Sequence, residues 1–198
     1  MENICKKGKN MKVMVVSPHP DDETLGAGGT LLRLKKEGHQ IYWLNITDAK
    51  EKDGWSASFI KQRKEQIQRV CDFFEFDDTF NLKFPPAKLE MLEKSILIQK
   101  IGSCFQTVEP EWIILPDPND AHSDHKITYE SCISCSKIFR YPYIHRITTM
   151  EILSETDFGR IDNPFVPNYF VNISDYMKSK IQALEIYDTE LGEHPFPR

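Results

Sequence analysis

The sequence predicts an α/β fold, a three-layer sandwich in which a mainly parallel sheet is covered by helices on both faces. Three observations predict it. Strand-like and helix-like runs alternate along the chain, the pattern of β-α-β units. Short apolar runs such as Val13-Met14-Val15-Val16 and Trp112-Ile113-Ile114-Leu115 read as buried strands. Polar segments rich in histidine and carboxylate follow these two runs, and ligands bind at the C-terminal strand ends of an open α/β sheet.

The elements follow in order. Strands are expected at 12–17, 40–46, 78–82, 112–115, 146–153 and 169–171. Helices are expected at 24–37, 57–74, 89–107, 123–138 and 174–189. Gly38 stands where a helix-ending glycine belongs, and Ser174 is expected to cap the last helix. The stretches Phe84-Pro85-Pro86 and Asn163-Pro164-Phe165-Val166-Pro167 read as surface turns. No repeat, low-complexity tract or linker interrupts the chain, so one domain over 1–198 is expected.

The 198 residues are enough to bury a core, and 40% apolar with 28% charged residues is ordinary for a globular protein. A net charge of −5 gives no support for a nucleic-acid partner. No apolar run approaches the ~20 residues of a transmembrane helix, and the N-terminus does not read as a signal peptide. Five scattered cysteines (Cys5, Cys71, Cys104, Cys132, Cys135) suggest reduced thiols and a cytoplasmic protein. Cys132-x-x-Cys135 lies in an expected helix without a second pair and reads as buried thiols.

Two segments carry the chemistry. The first is Ser17-Pro18-His19-Pro20-Asp21-Asp22-Glu23, where His19 and Asp22 can reach one ion and Asp21 is left for acid/base work. Its competing reading is an Asx-rich turn capping the next helix. The second is Asp120-Ala121-His122-Ser123-Asp124-His125. If the two strands are neighbours at the switch point, the segments converge on a His/Asp/His metal site with one position left for water, the catalytic pattern of zinc. Gly26-Ala27-Gly28-Gly29 does not fit a phosphate-binding turn and is expected to serve close packing. His39, His145 and His194 have no reading from spacing. Asp48, Asp53 and Trp55 follow the second strand, where an aromatic face flanked by carboxylates suits a pyranose. The competing reading, that Trp55 anchors the loop to the core, is slightly favoured.

With these motifs the chain resembles the PIG-L/LmbE family of zinc-dependent N-deacetylases. Pro18–Glu23 matches the family's His-Pro-Asp-Asp-Glu motif, His122–His125 its His-x-Asp-His motif, and 168–184 its Phe-Val-Asp-Ile-Ser-Asp segment and helix. The resemblance implies a Rossmann-like sheet and removal of an acetyl group from an N-acetylated amino sugar or its glycoconjugate. It implies zinc, with Fe2+ or another divalent ion as the alternative, held by His19, Asp22 and His125. Asp21 would be the general base, His122 the oxyanion stabiliser or proton donor to the amine, and Asp124 the residue orienting a histidine. Arg63 would face substrate. The partner is then a small amino-sugar molecule, with a homo-oligomer left open. The loop Thr47-Asp48-Ala49-Lys50 departs from the family pattern. Members also continue beyond His194-Pro195-Phe196-Pro197-Arg198 with another helix, which this chain is expected to lack. The rival readings are a metal-dependent phosphoesterase and a non-catalytic sugar- or metal-binding domain.

Overall fold

A computed structural model describes residues 10–192. The strands are β1 (Lys12–Ser17), β2 (Gln40–Thr47), β3 (Asp78–Phe84), β4 (Trp112–Pro116) and β5 (Arg146–Met150). They form one five-stranded sheet in the order β3-β2-β1-β4-β5, every adjacent pair parallel. The strand order reverses at β1, which lies beside β4 with Val13 opposite Trp112 and Val15 opposite Ile114. That is the expected switch point, and it brings the loops after β1 and β4 together.

The helices are α1 (Gly28–Lys36), α2 (Ala57–Phe74), α3 (Lys94–Val108), α4 (Ser123–Ser134) and α5 (Met177–Leu184). Successive strand side chains point to opposite faces, so the sheet has two cores. Val13, Val15, Ile41 and Trp43 pack with Leu31, Val70, Phe74 and Ala183 on one side. Met14, Val16, Leu44 and Ile46 pack with Leu97, Ile101, Phe105 and Cys132 on the other. The architecture is the α/β three-layer sandwich. Among the described residues, no helix is long and apolar enough to cross a membrane.

Local chemistry explains the boundaries. α2 has the expected limits because the Ser56 hydroxyl accepts the Phe59 N–H at 3.2 Å at its start. Gly38 closes α1 at φ +89°. The helix expected from residue 24 opens instead as a π-helical turn, Glu23–Ala27. The glycines there serve close approach. A Cβ on Gly26 would lie 2.6 Å from Met150 Sδ, and one on Gly29 2.6 Å from Ile173 Cδ1. The run expected at 89–107 splits into a 3-10 turn, Leu89–Met91, and α3. Leu92 and Glu93 are extended between them, and Asp124 holds the start of the 3-10 turn by accepting the N–H groups of Ala87 and Leu89 at 2.7 and 3.1 Å.

Other expectations fail: the strand expected at 146–153 ends at Met150 and the helix expected at 123–138 ends at Ser134. Residues 169–171 form no strand; Tyr169 packs edge-on to Trp112 at 6.0 Å while Arg146 covers Trp112 at 4.8 Å. Side-chain contact with the first residues of β4 and β5 therefore replaces a ladder. Ser174 does not cap α5, because a 3-10 turn occupies Ser174–Tyr176 and Tyr176 stands at the N-cap; the Ser174 hydroxyl donates to Asn172 Oδ1 at 2.8 Å. The helical stretch expected there divides into 3-10 turns at Ser174–Tyr176 and Asp188–Glu190 on either side of α5. Cys132 and Cys135 are buried free thiols, and burial pushes both up in pKa. Cys5, His194 and the closing Pro197-Arg198 lie outside the described residues.

Candidate metal centre and active site

The loop after β1 turns sharply and puts its polar side chains inside the protein. Asp21 has φ +140°, a conformation that a residue with a Cβ adopts only when its surroundings enforce it. The enforcing contacts are visible. The Asp21 carbonyl accepts the N–H groups of Thr24 and Leu25, each at 2.9 Å, and the Asp21 N–H is donated to Glu23 Oε2 at 3.1 Å. Glu23 is in turn held by the Thr24 and Tyr187 hydroxyls at 2.7 and 2.9 Å. Burial pushes its carboxyl up to about 7. For Asp22 the helix-capping reading does not hold, since at the turn's N-terminus it makes no side-chain cap bond.

Asp22 and the loop after β4 complete a cluster. The His19 N–H is donated to Asp22 Oδ2 at 2.9 Å. The same carboxylate oxygen lies 3.4 Å from His19 Nδ1 and 3.4 Å from His125 Nε2. Ring centroids are 5.4 Å apart for His19 and His125, and 4.4 Å for His19 and His122. His19, Asp22 and His125 offer three ligand atoms within 4.8 Å of one another, and His19, His122 and Asp124 offer a second such set.

The donor chemistry fits a divalent cation. His125 Nδ1 donates to Asp120 Oδ2 at 2.8 Å, because a carboxylate can only accept. This leaves the lone pair on Nε2, which is buried and has no hydrogen-bond partner. Asp22 Oδ1 is also buried without one. A buried carboxylate oxygen and a buried imidazole nitrogen left without hydrogen bonds are costly, and an ion satisfies both. Burial opposes the charge on His19, but its bonds to Asp124 and Asp22 outweigh burial and lift the imidazole to about 9. Burial likewise opposes His125, and Asp22 and Asp120 lift it to about 10. Burial tends to raise Asp22, yet His125 and His19 hold it far below the usual carboxylate range. Electrostatics that draw protons to these lone pairs also draw a cation, which displaces them.

The remaining expected residues surround the cluster. His122 Nδ1 accepts the Asp124 N–H at 3.1 Å, so the neutral ring carries its proton on Nε2. Burial and the nearby His19 keep His122 below its ordinary value, favouring that neutral form. Asp124 is buried and its Oδ2 bonds His19 Nε2 at 3.1 Å. A cavity of about 280 Å³ opens beside the cluster, near the lower end of the ~300–1,000 Å³ of small-molecule sites. His19, Asp21, His122, Asp48, Trp55 and Arg63 are among its lining residues. Trp55 stacks on Phe59 of α2 at 4.6 Å and still lines the cavity, so it is both anchored and available. Asp53 does not line it; Lys88 holds its carboxylate at 3.1 Å.

Arg63 sits on the stripe of α2 that faces inward, together with Gln66, Val70 and Phe74. Its guanidinium donates to Pro20 O at 2.9 Å and Thr189 Oγ1 at 3.0 Å, and pairs with Glu190. The sequence reading assigned no role to Asp120, Glu23, Glu155 or Glu190. Asp120 stood inside the second motif, five residues before His125. Glu190 had no local signal, because it meets Arg63 across 127 residues of chain.

Comparison with known proteins agrees with this geometry. The chain is 25% identical over 193 residues to a diacetylchitobiose deacetylase of Thermococcus kodakarensis, covering 92% of this chain and 71% of that protein. It is 26% identical over 183 residues to a probable N-acetyl-alpha-D-glucosaminyl L-malate deacetylase 2 of Bacillus cereus, covering 87% and 80%. Among solved structures, the conserved protein TT1542 of Thermus thermophilus superposes with a TM-score of 0.73 at 23% identity, over 91% of this chain and 80% of that one. The 4-carboxy-2-hydroxymuconate hydratase GalB of Pseudomonas putida shares the fold at a TM-score of 0.66 and 14% identity, over 89% of this chain and 78% of that one, so architecture alone does not name a reaction. Residues 14–136, which hold both histidine motifs, match the family described as GlcNAc-PI de-N-acetylase, and the chain belongs to that PIG-L family.

Proposed function

We propose that this protein is a zinc-dependent hydrolase that removes the acetyl group from an N-acetylated amino sugar or its glycoconjugate, with residues 1–198 acting as one domain. The observation that carries the reading is the pair of buried atoms without hydrogen bonds, Asp22 Oδ1 and His125 Nε2, clustered with His19, which lines a cavity together with Asp21. His19, Asp22 and His125 would hold the metal. When bound it supplies Lewis acidity, polarising the acetyl carbonyl and acidifying water. A second divalent ion is not needed: the two ligand sets among the described residues share His19, which argues against a two-metal phosphoesterase.

The chain's own groups divide the remaining work. Asp21 accepts the proton of the attacking water at its carboxylate, and the bonds that fix its backbone hold that carboxylate at the cavity wall. His122 offers an Nε2–H to the oxygen on which charge develops. The proton reaches the departing amine from Asp21 or His122. Asp124 orients His19, and Arg63 forms part of the wall against which substrate rests.

The test is acetate release from N-acetylated sugars by zinc-loaded protein, with metal content measured on each variant. Asp21→Asn keeps the metal and loses about 10²–10⁴-fold in turnover, the usual worth of a general base. His125→Ala loses the metal. Near-native turnover by Asp21→Asn would remove Asp21 from the mechanism. Cleavage of a phosphoester with no acetate released would overturn the reaction class.

A further inference from the structure

We propose that the segment 187–190 is a positioning element for the reaction: it grips the peptide between Pro20 and Asp21 at both of its polar atoms and so aims the Asp21 carboxylate. This rests on the deacetylase reading above, in which Asp21 is the base. The strained backbone of Asp21, φ +140° in a residue that lines the cavity, calls for such a grip. The direction of its Cα–Cβ bond is set by the planar peptides on either side. The peptide after Asp21 is held by its own turn, because the Asp21 carbonyl accepts the N–H groups of Thr24 and Leu25, each at 2.9 Å. The peptide before it is held from far along the chain.

Two arms reach that peptide. On the N–H side, Asp21 donates to Glu23 Oε2 at 3.1 Å, and the Tyr187 hydroxyl donates to Glu23 Oε1 at 2.9 Å. On the carbonyl side, the Arg63 guanidinium donates to Pro20 O at 2.9 Å and to Thr189 Oγ1 at 3.0 Å, and it pairs with Glu190. The arms meet where the guanidinium lies over the Tyr187 ring at 5.6 Å. Glu23 and Tyr187 are fully buried. Burying a carboxylate is costly, and here its bonds lead to the backbone of the base. The segment is itself anchored on α2. Asp188 Oδ1 accepts from Gln62 and Gln66 Nε2 at 3.0 and 2.6 Å, and the Thr189 hydroxyl donates to Gln66 Oε1 at 3.1 Å. A side chain 164 positions beyond Glu23, outside the family match over 14–136, thus helps fix the conformation of Asp21. Misplacing a reacting group by about 1 Å can cost ~10²-fold in rate.

The experiment measures kcat and KM for acetate release from N,N'-diacetylchitobiose by full-length, zinc-loaded protein, well below its unfolding temperature, with metal content checked on each variant. Tyr187→Phe removes one hydroxyl and should lower kcat about 10-fold with KM and zinc content unchanged. Glu23→Met deletes both acceptor oxygens at similar length and should lower kcat about 10²-fold. Glu23→Gln keeps an oxygen for the Asp21 N–H and should recover most of that loss. Arg63→Met, on the carbonyl arm, should lower kcat at least as much as Tyr187→Phe. The same substitutions are then made in Asp21→Asn. There we expect less than ~2-fold further loss, because the group they position is no longer a base. Loosening of the metal site or the cavity wall would instead cost the same factor in both backgrounds. That result, or native kcat in Tyr187→Phe and Glu23→Met, would overturn the proposal, and Tyr187→Phe decides alone if Glu23→Met does not fold. If the wild type releases no acetate, the deacetylase reading fails; if Asp21→Asn turns over like the wild type, Asp21 is not the base. In both cases exchange of the Asp21 amide hydrogen, followed by NMR, decides the grip by itself. Exchange at least ~10-fold faster in Tyr187→Phe supports it, and unchanged exchange overturns it.

Discussion

The loop after β1 and the segment after β5 invert the usual relation between polarity and burial. Asp21, Asp22 and Glu23 are at most 2% exposed, whereas Phe158, Ile161, Val166 and Phe170 are each at least 65% exposed. The difference lies in the partners each backbone makes available. The Asp22 and Glu23 carboxylates meet donors or imidazoles from their own turn, from the loop after β4 or from Tyr187 near the C-terminus. The segment after β5 leaves these side chains exposed among the described residues, and is tied to the rest through contacts such as Tyr169 on Trp112, Ile173 against Gly29 and the Arg160 N–H donated to Asn119 O. Burial of a charge here follows hydrogen-bond supply, and apolar character alone does not bury a side chain.

Four substitutions would break or sharpen that contrast, in order of decreasing effect. Asp22→Ala removes the carboxylate shared by His19 and His125, and we expect metal binding to be lost altogether when metal content is measured after gel filtration. Retained stoichiometric zinc would shift the centre to the set of His19, His122 and Asp124. Asp120→Asn takes away the acceptor that orients His125, and metal affinity measured by chelator competition should fall about 10–100-fold. An unchanged affinity would mean that packing alone orients the ring. Tyr187→Phe deletes one bond to buried Glu23, whose other donors remain, and should lower stability by about 1 kcal/mol in denaturant unfolding. Ile161→Ser changes a side chain that is 96% exposed, and the same assay should register no more than ~0.5 kcal/mol. A larger loss would show that the segment after β5 is covered in solution.

The legible features share a physical cause. α2 was readable to its boundaries because a serine cap and a stripe of inward-facing positions both act within the helix. β1 and β4 were readable because buried parallel strands are apolar throughout, and the residues just beyond them had to be at the ligand-binding edge. The strand expected at 169–171 shows the limit of that logic. Its composition suits a strand, but Trp112 and Arg146 hold Tyr169 by side-chain contact, an outcome set by residues more than twenty positions away. Asp53 shows the same limit within the site, since Lys88 turns it away from the cavity.

By itself, the amino-acid sequence determined the α/β class, the order of the elements and the two histidine motifs, because periodicity, capping and motif spacing are local properties of the chain. The tertiary structure decided which groups face one another: Asp120 with His125, Tyr187 with Glu23 across 164 residues, and Glu190 with Arg63 across 127. Those pairings depend on the sheet order and on where the segment after α5 returns. Electrostatic interactions act through distance in space, which separation along the chain does not record.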